Sequence, residues 1–385
     1  MNHQSTTCVH VRTPRPPAGQ PLSTPIHQTS GFAFTDPDTF AEGMARPDAE
    51  PVYTRLGNPT AQALELTVAQ LEGGAAGFAT SSGMGAINAV LMTSLRSGDH
   101  VIAQRSLYGG TFASLEALAH RWGVEVSYVA DPDEARAALR PNTRVLYAET
   151  ISNPVVRVAD LPGLFAVGRE AGLLNVVDST FATPLLCRPI EHGADVVLHS
   201  TSKYLGGHSD VIGGVAVFAD AARHRELWPE LVEFGAPADP FAAWLTLRGV
   251  RTLAVRMRQH CENAQLIAER LAEHPAVRAV HYPGLPTHPD HDLARALLTG
   301  SGGVLSFELA DRAAGLEFTR SVRLASLAPS LGGVETLVLH PASTSHRQLT
   351  ADQLRAAGIG EGTIRLSVGI EHPEDVWADL EQALA

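Results

Sequence analysis

The stretch Asp195-Val196-Val197-Leu198-His199-Ser200-Thr201-Ser202-Lys203-Tyr204-Leu205-Gly206-Gly207-His208-Ser209-Asp210 decides how this chain is read. Its first five residues predict a short strand, and the polar, glycine-rich remainder predicts a loop leaving the strand's carboxyl end. In wound α/β sheets, ligands sit beyond such ends. Lys203 is the single lysine among 385 residues, although Lys and Arg together number 29. A guanidinium stays protonated and is a poor nucleophile. A primary amine can form a Schiff base with an aldehyde once desolvation or a neighbouring cation lowers its pKa. The flanking hydroxyls, Ser200 and Ser202, can donate to phosphate oxygens, and the glycines let backbone approach closely. A polar loop carrying a surface lysine would look the same in isolation.

Working outward, the region from Thr60 to about Phe218 alternates helix and strand. Thr60 is expected to cap a helix through Leu71, closed by Gly73-Gly74, and Met84–Arg96 reads as a second helix. His100–Gln104, Val124–Val129 and Arg144–Ala148 are strand candidates. Asp131-Pro132 and Asp160-Leu161-Pro162 each open a helix, the first running to Arg140. Leu173–Asp178 and Asp195–His199 are again strand-like. This alternation predicts an α/β chain with a central, mostly parallel sheet. Pro240–Leu271 reads as long helices. A further αβ pattern then runs through strands 277–282, 304–309, 336–340 and 363–370, with helices near 316–322 and 350–357 and from Pro373 onward. A smaller second α/β domain is therefore expected. The organisation is an N-terminal arm (1–58), a large domain (59–250) and a C-terminal domain (251–385), matching the two-core prior for this length. Residues 1–60 read as irregular, because Pro14, Pro16, Pro17, Pro21, Pro25, Pro37, Pro47, Pro51 and Pro59 interrupt regular structure. So long an arm must pack on something, a neighbouring subunit as readily as its own domain.

Five further clusters bear on chemistry. Asp178 opens Asp178-Ser179-Thr180-Phe181 after a strand, where a carboxylate can pair with a protonated ring nitrogen or merely end the strand. Ser81-Ser82-Gly83-Met84-Gly85 precedes a helix whose free N–H groups can bind phosphate. Tyr108-Gly109-Gly110-Thr111 follows another strand, and its tyrosine can stack on a planar group and relay protons. Tyr53-Thr54-Arg55 in the arm, if extended, points Tyr53 and Arg55 the same way, toward one phosphate. Arg365 lies in the apolar strand Thr363–Ile370 and needs a partner there. A bidentate substrate carboxylate or an internal salt bridge would supply one.

Composition narrows the alternatives. Hydrophobic residues make up 44% and charged residues 18% of the chain, an ordinary globular balance. The formal net charge of −12 makes nucleic acid or an anionic membrane an unsuitable partner. No apolar run reaches membrane-spanning length, and the polar, Pro-rich start lacks a signal core. Cys8, Cys187 and Cys261 form no CxxC pair, so reduced thiols and a cytoplasmic location are expected. His288, Asp290, His291 and Asp292 suggest metal ligands, but a solvated loop explains them better, so no metal is expected.

Together, YTRLGNPT, SSGMGAI, LYGGT, ETISNP, VDSTFATP, HSTSKYLGGHSD, SLGGVETL and IRLSVGIE, spanning Tyr53 to Glu371, closely resemble the Cys/Met-metabolism family of pyridoxal-phosphate enzymes. The resemblance implies fold type I, pyridoxal 5'-phosphate as cofactor, and a homotetramer built from two dimers with active sites shared across the dimer interface. It implies that Lys203 bonds the cofactor and then shuttles protons, that Asp178 pairs with the pyridine nitrogen, and that Tyr108 stacks on the ring. Gly83, Met84, Ser200 and Ser202 would hold the phosphate, joined by Tyr53 and Arg55 from the neighbouring subunit. Asn153 and Glu149 would lie near cofactor and substrate, and Arg365, helped by Ser330, would grip the substrate carboxylate. The implied activity is γ-elimination on cystathionine or methionine, giving a thiol, 2-oxobutanoate and ammonia. The rival activity is γ-replacement, as in a cystathionine γ-synthase or O-acylhomoserine sulfhydrylase, and a non-catalytic scaffold is the remote one. Gly110 matches the cystathionine enzymes where methionine γ-lyases often carry cysteine. Leu107 and Thr111-Phe112-Ala113 look more like methionine γ-lyase. Pro329 departs from the glutamate often found there in cystathionine γ-lyases, and Thr201-Ser202 departs from the usual pair with Thr before the lysine.

Overall fold

Fully buried, alternating apolar strands set the architecture. In the computed structural model, which describes residues 3–12, 21–46, 50–347 and 349–385, seven strands form the larger sheet. They are β1 (Ala76–Thr80), β2 (His100–Gln104), β3 (Glu125–Val129), β4 (Thr143–Glu149), β5 (Leu174–Asp178), β6 (Val196–Ser200) and β7 (Gly214–Phe218), in the order β1-β7-β6-β5-β4-β2-β3. Neighbours from β6 through β3 are parallel, while β7 runs antiparallel to both β6 and β1. Successive residues send side chains to opposite faces. Val177 and Val197 enter one core with the helix Pro59–Glu72, and Val176, Val196 and Leu198 enter another with the helix Gly83–Ser94. Both faces are covered, as a parallel sheet requires. The expected α/β class with a mostly parallel sheet is what the chain adopts.

A second sheet contains β8 (Ala279–His281), β9 (Val304–Glu308), β10 (Ser326–Leu327), β11 (Leu337–Leu339) and β12 (Thr363–Ser367), in the order β10-β11-β12-β9-β8. Only the β10–β11 pair is parallel. Ile364 and Leu366 of β12 are buried in the core under this sheet, in which Phe307, Phe318 and Leu380 also lie. Thr363, Arg365 and Ser367 alternate onto the opposite face. The helix Leu253–Glu273 links the two halves, burying Leu253 and Met257 in the core of the large sheet and Ala264, Ile267 and Leu271 in that of the second.

The structure corrects several expectations. The arm is not irregular throughout, because Gln4–Val9 and Pro37–Ala45 are helical. Pro37 occupies the first turn behind an Asp36 cap, the same Asp-Pro signal that opens the helix Pro132–Ala137. Pro14, Pro16, Pro17 and Pro47 lie outside the described residues. The cap of the helix Pro59–Glu72 is Asn58 rather than Thr60, whose hydroxyl donates to the Pro25 carbonyl instead. Strands β1 and β7 were not anticipated. They pair antiparallel with each other, with β1 at the sheet's edge, and backbone packs closely against Gly77 and Gly214. Tyr53 to Leu56 forms a turn, with the Tyr53 carbonyl accepting from Leu56 and Gly57. Extended-chain alternation therefore does not place Tyr53 and Arg55 on one face. The segment His288–Asp292 is not a solvated loop: His288 is buried, His291 and Asp292 open the helix His291–Leu297, Asp290 accepts from Arg157, and His291 contacts the Pro283 carbonyl. Among the described residues no cluster of His, Cys, Asp and Glu is placed to hold a metal, and no helix is long and apolar enough to cross a membrane.

Asn58 is nearly inaccessible, caps Thr60 through its oxygen, and donates to the His27 carbonyl and the Thr54 hydroxyl. Asn58→Ala removes the cap and the arm's tether together. It should lower stability by about 1–2 kcal/mol, read from the denaturant midpoint.

Candidate active site

The parallel strands β4, β5 and β6 end side by side, and their carboxyl ends carry Glu149, Asp178 and Ser200. Glu149 pairs in register with Asp178 across β4 and β5. These ends open into a cavity of about 810 Å³. It is lined by Gly83, Met84, Tyr108, Glu149, Asn153, Asp178, Ser200, Ser202, Lys203, Ser330 and Arg365. Eleven of the thirteen residues singled out in the sequence thus share one cavity. Tyr53 and Arg55 do not line it. Arg55 donates to Glu233 and borders a separate cavity against its own domain, and the Tyr53 side chain is largely exposed.

Lys203 sits in a tight turn after β6, with Gly207 N–H bonded to the Lys203 carbonyl at 2.7 Å. Its ammonium donates to the Ser330 hydroxyl at 2.6 Å. Burial, reinforced by repulsion from Arg365, pushes its pKa down to about 8. Ser330 is bound from two directions, since its carbonyl accepts from Arg365 Nη2 at 2.7 Å. It does so with φ of 97°, a left-handed conformation that a serine adopts only under constraint, at roughly 1–3 kcal/mol.

Arg365 answers the question its sequence context raised. Its Nη1 donates to the Asn153 side-chain oxygen at 3.0 Å, and its Nε, though buried, has no hydrogen-bond partner. Among the described residues no carboxylate pairs with it. The guanidinium is therefore a buried cation held by neutral acceptors, and burial pulls its pKa down to about 10. Such a group is suited to an incoming carboxylate. Asn153 is engaged with this guanidinium.

Asp178 is half-buried at the strand end, and its pKa is raised by desolvation against the lowering effect of the Thr180 hydroxyl and N–H. Thr180 was not singled out by itself, yet it fastens two strand ends, donating its N–H to Asp178 at 2.9 Å and accepting the Ser200 N–H at 2.8 Å. Glu149 is pushed well up by burial and then by Asp178, and it accepts the Tyr108 N–H at 2.6 Å. Glu149 therefore anchors the loop that presents Tyr108 at the start of the helix Gly109–Trp122, with its ring 44% exposed. Glu335 also escaped notice. It lies within the quoted SLGGVETL segment, lines the cavity and accepts from the Ser209 hydroxyl.

The helix Gly83–Ser94 begins at the cavity wall. Ser82 caps it by accepting the Gly85 N–H at 2.9 Å, and Gly83 and Met84 open its first turn. A Cβ on Gly83 would stand 2.7 Å from the Ser200 Cβ and 2.9 Å from its hydroxyl. Only glycine keeps this cradle of helix N-terminus and serine hydroxyls open, and such a cradle suits a phosphate. A phosphate cradle, a desolvated carboxylate and an amine of lowered pKa together match the groups of pyridoxal phosphate.

The fold and this donor set define a fold-type-I pyridoxal-phosphate enzyme. Residues 5–385 match the family model for Cys/Met metabolism PLP-dependent enzymes, and the chain belongs to that family. It is 43% identical to an L-methionine γ-lyase of Fusobacterium nucleatum subsp. polymorphum, over 98% of this chain and 97% of that one. It is 42% identical to a cystathionine γ-synthase of Mycobacterium tuberculosis, over 99% and 96% of the two chains. A crystal structure of cystathionine γ-synthase from Xanthomonas oryzae pv. oryzae in complex with cystathionine superposes with a TM-score of 0.94 at 42% identity, covering 100% of this chain and 98% of that one.

Two outcomes follow from this geometry. Gly83→Ala should weaken cofactor binding to the apoprotein about tenfold, the loss of one charged hydrogen bond, and should also lower the melting temperature, because the added Cβ must push the Ser200 backbone aside. Capture of the cofactor aldehyde requires a neutral amine. Its rate, followed by absorbance, should therefore rise as pH passes upward through about 8 rather than near the ordinary lysine value.

Proposed function

We propose that the protein is a carbon–sulfur lyase that performs γ-elimination on a sulfur amino acid, cystathionine or methionine, and, with one water consumed, releases a thiol, 2-oxobutanoate and ammonia. The observation that carries this reading is the Lys203–Ser330–Arg365 chain, which sets a proton-carrying amine beside a carboxylate-binding cation in one cavity. The similarity to methionine γ-lyases supports the choice of reaction. Similarity to cystathionine γ-synthases favours γ-replacement as the second reading.

Pyridoxal phosphate, when bound, supplies an electron sink for negative charge at the substrate α-carbon. The other steps belong to this chain. Gly83, Met84, Ser200 and Ser202 bind the phosphate, and Asp178 offers its carboxylate to the ring nitrogen. Arg365 holds the substrate carboxylate, with Ser330 and Asn153 fixing its orientation. Lys203, held at 2.6 Å from Ser330, takes the proton from the α-carbon and returns it along the substrate. Tyr108 covers the ring face, and its hydroxyl gives a proton to the departing sulfur. Glu149 holds Tyr108 in place through the backbone.

Each site is completed by a second subunit within a homotetramer of two dimers. The half-exposed Tyr53, and the absence of both Tyr53 and Arg55 from the lining of their own cavity, support this reading. The division into arm (1–58), large domain (59–250) and C-terminal domain (251–385) is supported by the two separate sheets. The three cysteines are free thiols, in keeping with a cytoplasmic setting.

Incubation with cystathionine or methionine alone should yield 2-oxobutanoate. Formation of product only from an O-acylhomoserine plus a thiol would replace the first reading with the second. Lys203→Arg keeps the charge but loses the amine, so turnover should fall about 1,000-fold or more while circular dichroism is unchanged. Borohydride reduction of the holoenzyme should fix the cofactor on one tryptic peptide, that containing Lys203.

A further inference from the structure

We propose that Arg256, on the linking helix Leu253–Glu273, is the positioning residue that fixes Lys203, acting through the backbone of the turn that follows β6. This inference rests on the reading of Lys203 as the cofactor-bonding amine. Arg256 is only 4% exposed. Its Nη1 donates to the Tyr204 carbonyl at 2.8 Å, its Nη2 to the Gly249 carbonyl at 2.8 Å, and its Nε to the Thr252 hydroxyl at 3.1 Å. Among the described residues it has no carboxylate partner. A buried cation spends its fork on two main-chain oxygens and a hydroxyl, a geometry that a lysine ammonium cannot reproduce. The Gly249 carbonyl lies in the last turn of the helix Pro240–Val250, where the helix dipole favours a cation.

The turn closes tightly around this guanidinium. A Cβ on Gly207 would stand 2.2 Å from Nη1 and 2.4 Å from Cζ, and Gly207 has φ of 75°, so glycine is required there on two counts. On the other side, a Cβ on Gly249 would meet the Gly206 carbonyl at 2.1 Å. Arg256 therefore joins the end of one helix to the carbonyl of the residue after Lys203, through contacts too close to shift independently.

The same helix reaches the Arg365 strand. One turn on from Arg256, the His260 ring packs edge-on against Tyr204 at 5.1 Å, and its Nδ1 meets the Val368 carbonyl at 2.7 Å. The Asn263 amide donates to the Gly369 and Glu371 carbonyls. Tyr204 also abuts the loop after Ser330, where a Cβ on Gly332 would lie 2.7 Å from the Tyr204 nitrogen. One helix face thus registers the Lys203 turn against the end of β12, which carries Arg365. Without Arg256 the Tyr204 carbonyl loses its buried donor, and the Lys203 ammonium loses its alignment with Ser330.

The test compares the parent with Arg256→Met and Arg256→Lys, each prepared as holoenzyme and as apoprotein. Arg256→Met should lower kcat about 100-fold, as expected for a displaced reacting group, with KM changed much less. It should also weaken cofactor binding to the apoprotein and move the pH midpoint of cofactor capture upward, toward that of an unburied lysine. Arg256→Lys should be intermediate in all three. A merely structural arginine would lower the melting temperature and leave cofactor affinity and the capture midpoint at parental values, which overturns the proposal. If Arg256→Met does not fold, Arg256→Lys decides the matter, and parental values in that variant overturn it equally. A parent protein with no visible cofactor band would defeat the underlying reading of Lys203 instead, so the two failures are distinguishable.

Discussion

Two cations share one cavity, and among the described residues no carboxylate pairs with either; the local structure is organised around keeping them there. Lys203 and Arg365 repel each other, and burial disfavours the charge on both. What holds them is Ser330, which accepts from one through its hydroxyl and from the other through its carbonyl. That double role explains the left-handed backbone at a non-glycine residue. Under the proposed function, the carboxylate of an anionic substrate would offset the repulsion between the two cations.

Negative charge is arranged with equal economy. Asp178 and Glu149 end adjacent parallel strands, and both are driven toward the neutral form by burial. Each receives a different task through a different donor. Asp178 is tied to Thr180, which also fastens Ser200, so carboxylate and phosphate cradle are held to one frame. Glu149 is tied to the Tyr108 backbone and so acts on that loop.

Much of this was legible in the sequence because chemistry and punctuation coincide there. His100–Gln104 matched residue for residue, and Asp131, Asp160 and Asp178 stood where their cap or strand-end roles predicted. Eleven site residues converged because they follow strand ends, where a wound sheet gathers its loops. What escaped was set by tertiary contact. Asn58 displaced Thr60 as a cap because Thr60 was needed by Pro25. Arg256 sits in an amphipathic helix among other arginines, and nothing local marks it as the buried one.

The division of Lys203 and Arg365 between the two sheets has a mechanical consequence. Lys203 leaves the end of β6 in the large sheet, and Arg365 belongs to the small one. Under the proposed function, a substrate gripped by Arg365 and reacting beside Lys203 would be a temporary cross-link between the halves of the protein. Part of its binding free energy becomes stability of their mutual arrangement. Under the proposed function, the halves would stiffen while an amino acid is engaged and slacken when the product departs.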